Sequence, residues 1–244
     1  MTTLHQFVTD RIYKNRLSPK FWDENLHFDG DTRIKLLEIA KDFTDSLGIT
    51  RYIKDIILTG SLANYNYTRH SDLDVHILLD FTDIDQNKVL VKTALDGKRF
   101  MWNIKHNIIM KKHEVELYFQ DINEPHIASG VFSIQDNKWI KRPKYDPPEV
   151  DEKYVEMKAN QIKLDIVLLK NKLNSANDEA DFKELHDKSV KYREKILKMR
   201  RDSLRLKGEY GIGNLVFKQL RNGGYIKEII DISNIAYDKI FSIW

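Results

Sequence analysis

Hydrophobic and polar positions set two rhythms along this chain, and the change falls at residues 141–148, which hold three prolines. Before it, short apolar runs alternate with helical patterns. Residues 2–15 predict a short helix with Phe7, Val8 and Ile12 on one side. Ser18-Pro19 reads as an N-cap followed by proline at the first helical position, with Phe21 and Trp22 as apolar anchors. Asp31 is expected to cap a helix reaching about residue 47, with Leu36, Leu37, Ile39, Ala40, Phe43 and Leu47 at helical spacing and Gly48 ending it. Ile56-Ile57-Leu58 predicts a buried strand from its β-branched content.

A second apolar strand carries Asp72 and Asp74. Residues 85–103 read as a helix through Val91, Leu95, Met101 and Trp102, weakened by Gly97. Residues 107–112 and 113–119 follow as strands; in the second, Val115, Leu117 and Phe119 alternate with Glu114, Glu116 and Tyr118, giving two distinct faces. Residues 127–134 and 138–140 read as a hairpin turning at Gln135-Asp136-Asn137.

After the prolines the pattern is wholly helical. Val155, Ala159, Ile162, Ile166, Leu169 and Leu173 form a heptad seam, and Leu185, Tyr192, Ile196, Met199 and Leu206 continue the spacing. The expectation is two long helices packed as an antiparallel hairpin. Two shorter helices, about 214–221 and 225–240, finish the chain around Asn222-Gly223-Gly224. The fold class is therefore α+β: a mixed sheet flanked by helices over residues 1–145, then a helical domain over 146–244.

Composition narrows the chemistry. The 244 residues contain no cysteine, which removes disulfides, thiolate metal sites and a cysteine nucleophile. No apolar run reaches the length of a membrane span, and the first residues lack a signal-peptide pattern, so the expected location is the cytoplasm and no membrane partner is expected. The net charge of +3 is uneven. Residues 1–140 hold 18 Lys/Arg and 20 Asp/Glu, whereas residues 141–244 hold 22 and 17. Residues 188–207 alone carry a local charge of +7, more than the net excess of the whole second half. Lys188, Lys191, Lys195, Lys198 and Arg201, extended by Lys218 and Arg221, are candidate contacts for an anionic acceptor such as RNA; the plainer reading is a solvated helix face paired with neighbouring acids.

The chemistry-bearing stretch is 53–81. An apolar strand runs into Gly60-Ser61, a polar segment follows, and the next strand carries Asp72-Leu73-Asp74. Two residues apart on a strand, those carboxylates share a face about 7 Å apart along it. Such a pair repels unless a cation sits between, and hard oxygen ligands favour Mg²⁺ held with a nucleotide's phosphates. Gly60 lets backbone amides approach phosphate oxygens, Ser61 adds a hydroxyl, and a helical turn beginning near Leu62 would add free N–H groups. A third carboxylate is expected from a neighbouring strand, Glu116 first and Glu114 as the alternative. His76 shares the Asp72/Asp74 face and reads as a hydrogen-bonded structural histidine; His113 and His126 read as ordinary polar residues. Tyr65 and Tyr67 suit base stacking or loop packing equally. Gly211-Ile212-Gly213 is half a phosphate-loop pattern without the strand that should precede it.

Leu58-Thr59-Gly60-Ser61, then Ser71-Asp72-Leu73-Asp74-Val75 with Asp72 twelve residues after Gly60, resembles the signature of the nucleotidyltransferase superfamily that includes DNA polymerase beta and the minimal nucleotidyltransferases. The resemblance covers about residues 55–120. It implies Asp72, Asp74 and Glu116 as catalytic metal ligands for Mg²⁺ or Mn²⁺, and Gly60, Ser61, Asn64, Tyr67 and Ser71 as nucleotide-binding positions. It also implies transfer of a nucleoside monophosphate from an NTP, ATP being expected, onto an acceptor hydroxyl. The chain departs from the minimal members in two places: Asn64-Tyr65 stands where they commonly carry Arg-Gly, and the third acid is Glu rather than Asp. An RNA or tRNA end is the favoured acceptor; a protein or small molecule, or a non-catalytic binding module of the same fold, are the alternatives.

Overall fold

The computed structural model describes residues 14–126, 128–145 and 150–242. The helix expected over 2–15 lies almost wholly outside them. The chain divides into two compact units, Met1–Asp146 and Pro147–Trp244, close to the boundary the prolines suggest.

The first unit is built on a six-stranded mixed sheet in the order β3-β4-β2-β1-β5-β6. Its strands are β1 (Ile53–Thr59), β2 (Leu73–Leu79), β3 (Ile109–Met110), β4 (His113–Asp121), β5 (Val131–Ser133) and β6 (Lys138–Lys141). β2 and β4 run parallel, joined by the crossover helix α2 (Lys88–Lys105); the other pairs are antiparallel. Alternation sorts the side chains. Ile56, Leu58, Leu73, Val75, Ile77, Val115, Leu117 and Phe132 join one core with Leu36, Ala40 and Phe43 of α1 (Gly30–Ser46) and Val91 and Leu95 of α2. Each of these side chains other than Ala40 contributes about 1.5–3 kcal/mol by leaving water. The opposite face carries Asp74, His76, Glu116 and Tyr118 at the alternate positions of β2 and β4, with a small apolar group of Ile57, Leu78 and Val131 on the same face.

Local chemistry corrects several expectations. Asp29, not Asp31, caps α1: its carboxylate accepts from the backbone N–H of Thr32 at 2.9 Å. Ser18-Pro19 opens a single turn rather than a helix, closed by the N–H groups of Phe21 and Trp22 on the Ser18 carbonyl. The chain then pairs Trp22 with Phe28 and stacks Trp22 on Trp139 at 4.5 Å. The apolar anchors are thus right and the helix is not. The strand expected over 107–112 shrinks to two residues because Lys111 and Lys112, at φ +50° and +71°, form the tight turn into β4. Neither is glycine; Lys111 is held there by its ion pair with Asp29 at 2.8 Å and a bond to the Lys20 carbonyl at 2.7 Å. Where short β3 leaves the outer edge of β4 open, Asn103 of α2 bonds both the N–H and the carbonyl of Leu117.

The second unit contains α3 (Glu152–Ser175), α4 (Glu179–Lys207), α5 (Ile212–Asn222) and α6 (Tyr225–Phe241). The long helices follow the heptad reading, but they are not chiefly each other's partners. α4 packs mainly on α6 and α5, and α3 on α5 and α6. α3 and α4 meet more sparsely, through contacts such as the Tyr192 hydroxyl donating to Asp165 at 2.5 Å. Periodicity marks a buried stripe without naming what buries it. Here α5 is buried along Gly213–Phe217 and Leu220, so the short helices form the centre of the unit, while Leu206, assigned to the seam, is 71% exposed.

Candidate active site

The site begins at the end of β1. Gly60 has φ +73° and ψ −161°, a region that a side chain all but forbids. A Cβ there would lie 1.9 Å from Oδ2 of Asp74. The glycine therefore permits both the turn and the approach of its backbone to the carboxylate. Residues Ser61–Ala63 complete one 3₁₀ turn, whose Leu62 carbonyl accepts the indole N–H of Trp22 at 2.8 Å. The Ser61 and Ser71 hydroxyls are bonded at 2.7 Å, closing the polar loop upon itself, and the Thr68 N–H donates to the same Ser71 oxygen at 2.9 Å.

Sheet register assembles the rest. Asp74 on β2 lies opposite Thr59 of β1 on one side and Glu116 of β4 on the other. Asp72 immediately precedes β2, two residues back on the same parity, and Asp72, Asp74 and Glu116 are all half-buried. Glu114 is exposed and pairs with Ile109 of β3. Glu116 accepts a hydrogen bond from the Tyr118 hydroxyl. Burial first, then the Glu116 charge and that bond, push the Tyr118 phenol above the accessible range, so it stays a neutral donor. The Arg99 guanidinium sits 4.8 Å over the Tyr118 ring.

His76 lies opposite Tyr118 in the register, 5.0 Å from its ring. Its Nδ1 pairs with Oε1 of Gln120 at 2.8 Å, and burial lowers its pKa against the opposing effect of that bond. It is a neutral imidazole tied into the sheet face. Asn64, a nucleotide-binding expectation, is fully buried; its amide donates to the Ser129 hydroxyl at 2.7 Å and its oxygen accepts from the Tyr65 N–H. Its side chain fastens the 128–130 loop. Tyr67 is half-buried among Lys14, Arg16, Lys20 and Arg69.

His113 is the residue that sequence reasoning undervalued. It is 3% exposed, packs edge-on against Phe21 at 5.4 Å, and bonds the Ser71 carbonyl through Nδ1 at 2.6 Å. The alternation of β4, which places it with Val115 and Leu117, was the available signal.

In the second unit, Lys191, Lys195, Lys198 and Arg201 are exposed on α4, and Arg221 is exposed on α5, where Lys218 is half-buried. Lys188 pairs with Glu184 one turn earlier in its own helix. Arg200 is spent on packing, 4.3 Å over the Phe217 ring.

Among the described residues, no three acidic or histidine side chains converge as a ready-made metal cage, and no helix is long and apolar enough to cross a membrane. The donor chemistry fits a hard cation: carboxylates of Asp74 on β2 and Glu116 on β4 are the oxygen ligands that Mg²⁺ takes. Comparison with known proteins finds no match to this chain among family models, curated proteins or solved structures.

Proposed function

We propose that the chain is a metal-dependent nucleotidyltransferase that moves a nucleoside monophosphate from an NTP, ATP in the first instance, onto an acceptor hydroxyl with release of pyrophosphate. The observation that supports this reading best is the juxtaposition of Asp74 with Glu116 across β2–β4, with the Gly60 backbone against the Asp74 carboxylate. Acidic side chains are seldom set opposite one another on a sheet without a cation to reward it, since like charges there are destabilising.

Asp72 and Asp74 would hold Mg²⁺ or Mn²⁺ with the triphosphate, and Glu116 would join them on the acceptor side. The bound cations supply charge neutralisation at the phosphates and acidify the attacking hydroxyl. The chain's own groups do the positioning. Gly60 offers a backbone N–H to the outer phosphates, and the Ser61 hydroxyl, which donates to Ser71 at 2.7 Å, would turn from that bond to reach them. Tyr118 orients Glu116 through its hydroxyl. The exposed cations of α4 support an RNA end as acceptor.

The deciding experiment supplies each NTP, radiolabelled at the α-phosphate, with Mg²⁺ or Mn²⁺ and cellular RNA or lysate. Label should pass to a macromolecule, RNA on this reading, and Asp72→Ala with Asp74→Ala should abolish it. Label on protein would redirect the acceptor. Absence of transfer with any nucleotide, alongside RNA affinity unchanged in the double variant, would favour a binding module that keeps the fold.

A further inference from the structure

Heptad spacing marks α3 twice. Within the helical unit its inner stripe is buried at Val155, Ala159 and Ile166. On the opposite side Tyr154, Met157, Gln161, Leu164, Leu168 and Asn171 recur at steps of 3, 4, 3, 4 and 3, and all six are exposed. Met157, Leu164 and Leu168 are 61%, 59% and 60% exposed. Single apolar residues scattered on a surface need no explanation, but strict alternation of three and four is the seam along which one helix packs on another.

The charges beside that seam identify the helix it fits. Asp151, Lys158, Asp165 and Lys172 stand seven residues apart along one flank, so the sign alternates down the helix. When two copies of α3 run antiparallel about a twofold axis, Met157 faces the partner's Leu168 and Gln161 faces the partner's Leu164. The flank then meets its own copy. Lys158 comes beside the partner's Asp165 and Asp151 beside the partner's Lys172, and symmetry forms each pair twice. Sliding by one heptad sets Lys158 against Lys158 or Asp165 against Asp165, and a parallel pair sets Lys153 against Lys158. Those like-charge contacts oppose the alternatives. On the other flank the antiparallel register brings Lys153 beside Asn174 and Asn160 beside Val167, with no repulsion.

Local bonds prepare the same groups. Asp165 accepts from the Tyr192 hydroxyl at 2.5 Å and from the Gln161 amide at 3.2 Å, one bond to each oxygen, which leaves both able to accept another. Gln161, the polar residue at the centre of the seam, thus directs its amide to its own helix and leaves its methylenes for a leucine. Lys158 holds its ammonium 5.8 Å over the Tyr154 ring, and Asp151 caps the helix through the Tyr154 N–H.

We propose that the outer face of α3 is a self-association surface through which two copies of this chain form an antiparallel two-helix seam. The surface is a single helix of 24 residues, so the dimer belongs to the weak, reversible class. It uses none of the carboxylates of the nucleotidyltransferase reading and is tested without any activity measurement.

The test is sedimentation velocity of the full chain over a concentration series reaching about 100 μM, where a weak dimer fills. The weight-average mass should rise toward twice that of the chain. Leu164→Glu with Leu168→Glu should hold it at the monomer value, and because both side chains are exposed the variant should melt like the dilute parent. Lys158→Glu should weaken dimerisation about tenfold, two attractive pairs having become repulsive; a parallel dimer would be strengthened instead. The chain has no cysteine, so introduced thiols report orientation. Tyr154→Cys with Asn171→Cys should cross-link chain to chain on oxidation, and Tyr154→Cys alone should not. The two positions lie roughly 25 Å apart along one helix, too far for a bridge within a chain. The proposal is overturned by a monomer throughout the series, by a dimer unmoved by the two leucine substitutions, by tighter association in Lys158→Glu, or by cross-linking of Tyr154→Cys alone.

Discussion

Asp74 and Glu116 lie directly opposite each other across the parallel pair β2–β4. Two carboxylates in that relationship cost stability on the order of 0.2–1 kcal/mol when nothing lies between them. Glu116→Gln should therefore raise the metal-free melting temperature by a few degrees at most while lowering nucleotidyl transfer at least a hundredfold. Melting curves with and without Mg²⁺ check the first part: Mg²⁺ with nucleotide should stabilise the parent and not the variant. A variant that melts lower without metal would show that the bond from the Tyr118 hydroxyl to the Glu116 carboxylate is worth more than the repulsion.

Gly60 tests the close approach to Asp74. In Gly60→Ala the new Cβ meets a region of backbone space costing about 1–3 kcal/mol and overlaps the Asp74 carboxylate, which must rotate away. Chemical denaturation should report that loss, and transfer should fall by at least a hundredfold because the displaced group is the one proposed to hold the cation. Gly48→Ala is the comparison: its φ of +69° is similarly strained, but no atom lies within 4 Å of the added carbon. It should lose stability and keep transfer.

Much of this site was legible locally and some of it was not. Gly60, Ser61, Asp72 and Asp74 stand within one hairpin, where spacing and parity determine which side chains share a face. The alternation of β4 already ranked Glu116 ahead of Glu114; that Glu116 stands opposite Asp74 took the register of β4 against β2, a pairing between strands separated by a whole helix. Asn64 has the composition of a ligand-binding residue, yet its partner Ser129 lies 65 positions on, beyond any local pattern. Nor could the α3 and α4 stripes say that α5 would fill the space between them; a heptad repeat specifies a face, not its occupant. His113 was misread because a histidine beginning a strand is usually solvated, and the carbonyl that captures it, that of Ser71, belongs to a distant loop.

Tyr118 should act by orienting Glu116, which it contacts, rather than by exchanging protons. Tyr118→Phe should reduce transfer about tenfold, the worth of one hydrogen bond to a charged group. The near-ultraviolet titration of tyrosine between about pH 9 and 11 should keep its amplitude in the variant, because burial and Glu116 hold Tyr118 protonated throughout that range. A smaller amplitude would mean that Tyr118 ionises normally and that the bond to Glu116 is weak in solution.

Asp29 ties the start of α1 to the β3–β4 turn. Burial raises its pKa, but the Lys111 and Thr32 hydrogen bonds outweigh that and bring it from 3.8 to about 2. The stability it supplies is complete above pH 4 and is lost as the pH falls from about 4 to about 2. Asp29→Ala should cost roughly 1–2 kcal/mol at neutral pH, the usual worth of a side-chain cap. It should also flatten the acid limb of the stability curve within that window. Asp31→Ala, at the position the sequence favoured, should do neither beyond a few tenths of a kcal/mol.

The acceptor is tested by salt. If RNA tracks along α4, the exposed Lys191 and Lys195 neutralise phosphates and release counterions, so affinity must fall steeply as salt rises. Lys191→Glu with Lys195→Glu should weaken binding across RNA sequences and lower the slope of log K against log salt by about two, near one per lysine. Both side chains are solvent-exposed, so melting should be unchanged and any loss belongs to the interface. Arg200→Glu is the contrasting case: its guanidinium packs 4.3 Å over Phe217, so substitution there should destabilise the helical unit itself. A salt profile that is flat in the parent would remove RNA as the acceptor and leave the α4 cations as a solvated face. The search for a hydroxyl donor would then pass to proteins and small molecules.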